Sequence, residues 1–101
     1  MNATNTAICE AMQVALAQKE HGHDMFVAFY PHVEEVEIRL YVGGWENPMN
    51  GTCDREPDVK SRTYLSGSLA PENPAATIRE VVARCIEAIN AADLEVRGED
   101  F

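Results

Sequence analysis

Two short runs of ionisable residues in this chain of 101 residues have side chains suited to metal or acid–base chemistry. The first run is His21-x-His23-Asp24, and imidazole and carboxylate groups are ligands that transition metals prefer. His32, the nearest further ligand, follows an intervening strand and is expected roughly 25–30 Å away at the usual rise per residue. We therefore expect these side chains to cap a helix end and solvate a turn, and we assign no metal and no cofactor. A small metal-dependent or ligand-binding enzyme that uses His21 and His23 is an alternative.

The second run consists of the carboxylates Glu34, Glu35 and Glu37, a residue type that can act as a general acid or base. Glu35 and Glu37 lie on one face of a predicted strand. The same face carries cationic side chains, namely Arg39, Lys60 and Arg62, so cross-strand ion pairing is the expected role. The chain contains no glycine-rich phosphate loop, no GxSxG and no HExxH motif. We therefore do not expect an enzyme.

Residues 43–57 form a predicted loop that contains the only tryptophan, Trp45. Long loops of compact domains are often functional, and aromatic, methionine and arginine side chains are typical of binding surfaces. The alternative is that Trp45 covers an end of the protein's own core. The predicted partner-binding residues of the whole chain are Glu34, Glu35, Glu37, Tyr41, Trp45, Glu46, Asp54 and Glu56.

The chain is strongly acidic, with 17 Asp and Glu against 8 Lys and Arg and a net charge of -9. Direct nucleic-acid binding is not expected, because phosphate contacts require Lys and Arg. A basic protein surface would be attracted instead, unless the acidity serves only solubility. No apolar run is long enough to span a bilayer and the first residues lack the pattern of a secretory signal, so we expect a cytoplasmic protein without membrane contact.

The three cysteines are widely spaced and form no CxxC pair, so neither a zinc nor a redox motif is predicted. Cys9 and Cys85 lie in predicted helices and are expected to be small core residues. Cys53 lies in the polar loop and is the one cysteine expected to react.

Hydrophobic periodicity divides the chain into five elements and a tail. Residues 6–20 and 74–91 show helical spacing, which in the first helix is that of Ile8, Met12, Ala15 and Leu16. In the second helix Asn73 is a suitable N-cap with Pro74 at the first helical position. Strands are predicted at 25–30, 35–42 and 58–65, and an acidic tail at 93–101. The first strand has apolar side chains on both of its faces and is expected to be central or covered on both faces. The third strand is expected at an edge.

The predicted fold is α+β, a single domain of residues 1–101 in the order α-β-β-β-α. Three sequential strands form an antiparallel meander, and both helices pack on one face. The opposite face is expected to be exposed to solvent.

This order of elements is similar to that of the double-stranded RNA-binding domain. That family begins its second helix with a lysine cluster that contacts phosphates, whereas this chain reads Pro74-Ala75-Ala76-Thr77-Ile78-Arg79-Glu80 at that place. RNA binding is therefore not expected from the shared topology.

In its size, acidity and lack of a cofactor motif, the chain resembles small phage-encoded accessory proteins of the anti-CRISPR inhibitor type. The resemblance implies a phage protein in the host cytoplasm that binds a nucleoprotein defence complex, with carboxylates in place of phosphates. No site residue is implied, because no motif is shared. The alternative is a structural or regulatory domain that associates with a second copy of itself as a homodimer, through an edge strand or the exposed sheet face.

Overall fold

Two helices and three strands follow the predicted order within residues 2–44 and 56–99, which the computed structural model describes. The elements are α1 (Ala3–Lys19), β1 (Asp24–Tyr30), β2 (Glu35–Tyr41), β3 (Val59–Tyr64) and α2 (Pro74–Glu99). The predicted α+β class and α-β-β-β-α order are confirmed.

Each helix begins at an asparagine cap. The Asn2 side chain accepts a hydrogen bond of 2.8 Å from the Asn5 backbone N–H, so α1 begins at Ala3 rather than at residue 6. At α2 the predicted cap is present, since Asn73 Oδ1 accepts from the Ala76 N–H at 3.2 Å. This helix continues past its predicted end at residue 91 to Glu99, so most of the predicted tail is helical.

The strands form one antiparallel sheet in the order β1-β2-β3. Val27 lies opposite Ile38, which in turn lies opposite Ser61. Helix α1 contacts β1, α2 contacts β3, and the helices contact each other. Both helices therefore cover the same sheet face, and the predicted meander with one covered face is confirmed.

Strand β1 lies at an edge of the sheet, so the prediction that it is central or covered on both faces is wrong. Its sequence, DMFVAFY, places apolar side chains on both faces of the sheet, although β1 pairs with β2 alone among the described strands. Phe29, on the helix-covered side, remains 48% exposed. The central position belongs to β2, which is buried along nearly its whole length on both faces.

The core lies between the covered sheet face and the two helices. Its largest fully buried side chains are Leu40, Ile78, Val36, Val81 and Cys85. Helix α1 contributes only two fully buried side chains, both alanines, because small side chains allow the helix to pack closely against its neighbours. The predicted apolar face of Ile8, Met12, Ala15 and Leu16 is therefore about one residue out of phase. Ile8 and Ala15 are half-buried against the core, whereas Met12 and Leu16 are exposed.

The two isoleucines of α2 at positions 78 and 86 form a matched pair, since one is fully buried and the other is 38% exposed. We expect Ile78→Ala to reduce the free energy of unfolding by about 2–5 kcal/mol through lost burial and a residual cavity. Ile86→Ala should reduce it by less than about 1 kcal/mol. Urea unfolding measures both, and equal losses would contradict the helix orientation.

The two described cysteines differ in environment. Cys85 is buried in the core as predicted, and burial raises the pKa of its thiol from 9.0 to about 11. Cys9 is exposed, so its predicted core position is wrong. The reason is the one-residue phase shift of α1, which places Ala7 and Ala11 inward instead.

The raised pKa of Cys85 predicts a loss of stability at alkaline pH. Between pH 9 and 11 the unfolded thiol has ionised while the folded thiol retains its proton. The free energy of unfolding should therefore fall as pH rises through this window, by up to about 1.4 kcal/mol per pH unit. Unfolding curves at several pH values, compared with Cys85→Ala, isolate this contribution. An identical pH slope in the two proteins would refute it.

Candidate functional site

The sheet face opposite the helices is the principal candidate surface, and we call it the open face. The register places its side chains on alternating positions of all three strands, namely Asp24, Phe26, Ala28, Tyr30, Glu35, Glu37, Arg39, Tyr41, Lys60, Arg62 and Tyr64. None of the described helices packs on this side. It therefore combines aromatic and ionisable groups on a surface without helical cover.

A carboxylate cluster lies at the centre of the open face. Arg62 Nε donates to Glu37 Oε2 at 3.1 Å and lies 3.2 Å from Glu35 Oε1. The Tyr30 hydroxyl donates to Glu37 Oε1 at 3.3 Å, on the other side of the same carboxylate. The hydrogen bond to Glu37 and the charges of both carboxylates raise the pKa of Arg62. Cross-strand ion pairing, the structural role expected for these glutamates, is confirmed.

The expected solvent exposure of Glu35, Glu37 and Tyr41 is wrong, since each is at most 5% exposed. All three belong to the central strand, where side chains of both neighbouring strands contact them. These side chains are Phe26 and Tyr30 from β1 and Arg62 from β3. An alternating polar pattern thus indicates a sheet face that no helix covers. It does not show that the side chains of that face are exposed to solvent. The carboxylates are buried, and the half-exposed Arg62 beside them supplies the cation that a buried carboxylate requires.

Aromatic side chains border the cluster towards the far end of β2. The rings of Phe26 and Tyr41 meet edge to face at 5.8 Å, and the Arg39 guanidinium lies 5.0 Å from the Phe26 ring centre. Arg39 Nε is also 3.3 Å from Glu37 Oε1, although its N–H makes no hydrogen bond among the described residues. The guanidinium is therefore held by ring stacking and charge.

The open face is formally neutral, because three carboxylates are matched by three cations. The carboxylates are Asp24, Glu35 and Glu37, and the cations are Arg39, Lys60 and Arg62. The net charge of -9 therefore resides outside the sheet. Two segments of the sequence, 43–58 and 93–101, each contain four carboxylates and a single arginine.

The other predicted partner-binding residues are not brought together. Glu34 lies in the hairpin turn at one end of β2, in a left-handed conformation with φ of 48°, and accepts a hydrogen bond from Ser66 Oγ. Glu56 is exposed and precedes β3 at the opposite end. These ends are roughly 20 Å apart at the usual strand rise. Trp45, Glu46 and Asp54 lie outside the described residues, as does Cys53.

His23 has a structural role rather than a place in a histidine cluster. It is buried just before β1, and its Nδ1 accepts a 3.0 Å hydrogen bond from the Gly43 N–H. Its Nε2 lies 3.7 Å from Asp93 Oδ1 on α2. The imidazole thus joins three parts of the chain. Within residues 2–44 and 56–99, no group of three His, Cys, Asp or Glu side chains could hold a metal ion.

Sequence reasoning missed Tyr30 as a member of the carboxylate cluster. The alternation of side chains along β1 could have identified it, because Tyr30 and Phe26 lie on the same face of the strand. Tyr30 also pairs in register with Glu35. Tyr30, His32, Glu35 and Arg62 also line a shallow cavity of about 300 Å³ with Val33 at the hairpin end of the sheet. The cavity is open and charge-balanced, so it offers a partner polar contacts without a strong field.

Neither a protein family, nor a curated protein, nor a solved structure matches this chain. In the part of the chain that the structure describes, no helix is long and apolar enough to cross a membrane.

The carboxylate cluster predicts a strong coupling between Glu37 and Arg62. Glu37→Gln should reduce the free energy of unfolding by about 1–3 kcal/mol, because it weakens charge-assisted hydrogen bonds of a buried group. In an Arg62→Gln background the same change should cost much less, since the cation is already absent.

Thermal or urea unfolding of the two single variants and the double variant measures this coupling. Glu80→Gln, an exposed carboxylate on α2, is the control and should change stability by no more than about 0.5 kcal/mol. An equal cost of Glu37→Gln in both backgrounds would show that Arg62 does not stabilise the buried carboxylate.

Proposed function

We propose that this chain is a non-catalytic protein-binding domain that blocks a bacterial defence complex of the CRISPR–Cas type. The observation that supports the proposal is the distribution of charge. The sheet neutralises its own carboxylates, so the excess of -9 lies on other surfaces, where it is available to a basic partner. Phage origin and location in the host cytoplasm are part of this proposal.

Several exposed carboxylates outside the sheet support this reading. Within the described residues they form no ion pair, and they comprise Glu20, Glu56, Glu72, Glu80 and Glu87. By contrast, Glu10 on α1 is paired with Arg79 on α2 at 3.1 Å. A carboxylate without an internal cation keeps its full attraction for the Lys and Arg of a partner.

The proposed mechanism is competition for a surface that binds nucleic acid. Such surfaces use Lys and Arg to contact phosphates, and carboxylates can occupy the same cations without any covalent step. Long-range attraction would speed the encounter, and rigid helices would hold part of the charge in fixed positions. The acidic segment 43–58 supplies the first contact in this scheme.

The direct test is an immunity assay in bacteria that carry an active CRISPR–Cas system and a spacer against a test phage. Expression of the chain should restore plaque formation, and it should have no effect in cells that lack the system. Failure to restore plaque formation in cells with any of the nucleic-acid-binding CRISPR–Cas types would refute the inhibitor proposal.

The electrostatic mechanism is tested with the purified defence complex that responds. Affinity should fall by about tenfold or more as salt rises from low to physiological concentration, because exposed charge pairs are screened. Because segment 43–58 makes the first contact in this scheme, Glu46→Lys with Glu56→Lys should weaken binding more than Glu80→Lys with Glu87→Lys on α2. Both pairs change the net charge equally, so the difference between them reports the position of the contact. Affinity that is independent of salt would exclude phosphate mimicry.

A further inference from the structure

The outer edge of β1 has the composition of a strand that pairs with another strand. An edge strand directs every second backbone N–H and C=O away from its neighbour, and proteins usually protect such edges with lysine, proline or a bulge. Strand β1 contains none of these, and its one charge, Asp24, lies at its first residue. The opposite edge, β3, carries Lys60 and Arg62 and is protected in the usual way.

Exposed apolar side chains surround this edge. Phe29, Tyr30 and Val33 are each at least 36% exposed at the end of β1 and in the following turn. At the start of the strand, a groove of about 360 Å³ lies between α1 and β1, and its apolar lining includes Leu16, Met25 and Phe26. Two charged side chains of opposite sign, Lys19 and Asp24, also line it. Leu16 is 71% exposed there. Beyond Asp24 the edge strand is therefore apolar, and its most exposed part is its end at Phe29 and Tyr30.

We propose that β1 pairs antiparallel with β1 of a second copy of this chain, which joins two sheets into one of six strands. A twofold axis at Val27 lets all seven residues pair. Met25 then lies opposite Phe29 of the second copy, and Phe26 lies opposite Ala28. On the helix-covered side, Leu16 lies beside the Phe29 of the second copy, so two exposed apolar side chains become buried together.

The charges along this edge are compatible with a second copy of the chain, although each copy carries a net charge of -9. In the paired register Asp24 lies opposite Tyr30, and the two Asp24 carboxylates are separated by roughly 20 Å at the usual strand rise. No like charges face each other along the strand. Because the remaining repulsion acts over distance, salt should strengthen the dimer. Binding to a basic target, as proposed above, should weaken with salt, so the two proposals can fail independently.

The first experiment measures the mass of the full chain by sedimentation equilibrium over a range of concentrations and salt. We expect a monomer–dimer equilibrium that shifts towards the dimer at higher salt. Phe29→Lys and Leu16→Lys should each weaken the dimer by about tenfold or more, because each introduces a charge into the proposed apolar contact. Leu69→Lys is the matched control, since Leu69 is 73% exposed but lies outside α1 and β1, and it should leave the equilibrium unchanged.

A second experiment tests the register without relying on the lysine variants. Opposed residues of antiparallel strands have Cα atoms about 4.5–5.5 Å apart, which permits a disulfide. In a Cys9→Ser, Cys53→Ser background, Val27→Cys should form a covalent dimer under mild oxidation much faster than Leu69→Cys. Thermal unfolding confirms that each variant is folded.

A monomer at all concentrations and salt conditions would overturn the proposal. So would folded Phe29→Lys and Leu16→Lys variants that dimerise like the unmodified chain, or cross-linking of Val27→Cys no faster than that of Leu69→Cys.

Discussion

The pairing of two buried glutamates with Arg62 is the interaction on which the arrangement of the sheet depends. Glu35 and Glu37 lie on the central strand, and their side chains are almost inaccessible to solvent. A buried carboxylate without a cation is costly, and the guanidinium of Arg62 on β3 lies beside both. The ion pairs therefore link β3 to β2 beyond the backbone ladder. They also fix the register, since a shift of one residue would turn these carboxylates towards the apolar core.

Neutralisation of the sheet also determines how the molecule presents its charge. A chain with the same composition but with Glu35 and Glu37 unpaired would carry its acidity on a flat face. Here the flat face has a balanced, partly aromatic surface, and the acidity is displaced to helix surfaces and to the sequence between β2 and β3. The protein thus has two surfaces of different character, one governed by charge and the other, along β1, by apolar contact.

The sequence predicted the order of elements, the meander and the second helix correctly because these depend on local patterns. The alternation in EVEIRLY and the Asn73-Pro74 start of α2 are strong signals.

Prediction from the sequence failed where the burial of a residue depends on the neighbouring helices and strands. The apolar run of β1 predicted a central strand, yet β1 lies at the edge. For α1, the choice between Ala7 with Ala11 and Ile8 with Met12 as the inward stripe depends on how closely the helix approaches α2, which periodicity does not encode. Of the proposed site, the ion pairs followed from strand parity, whereas the burial of Glu35, Glu37 and Tyr41 required the flanking side chains.

The ends of the connection between β2 and β3 are fastened to each other. The Val42 N–H donates to Asp58 Oδ2 at 2.8 Å, and the Asp58 N–H donates to the Leu40 carbonyl at 2.7 Å. The sheet is therefore closed on either side of this connection by contacts that do not involve its intervening residues. Since the entropy of loop closure grows only slowly with length, this stretch can be lengthened, shortened or exchanged at small cost to the fold. The molecule accordingly has a position at which recognition sequences can diversify, or be grafted, while the scaffold stays the same.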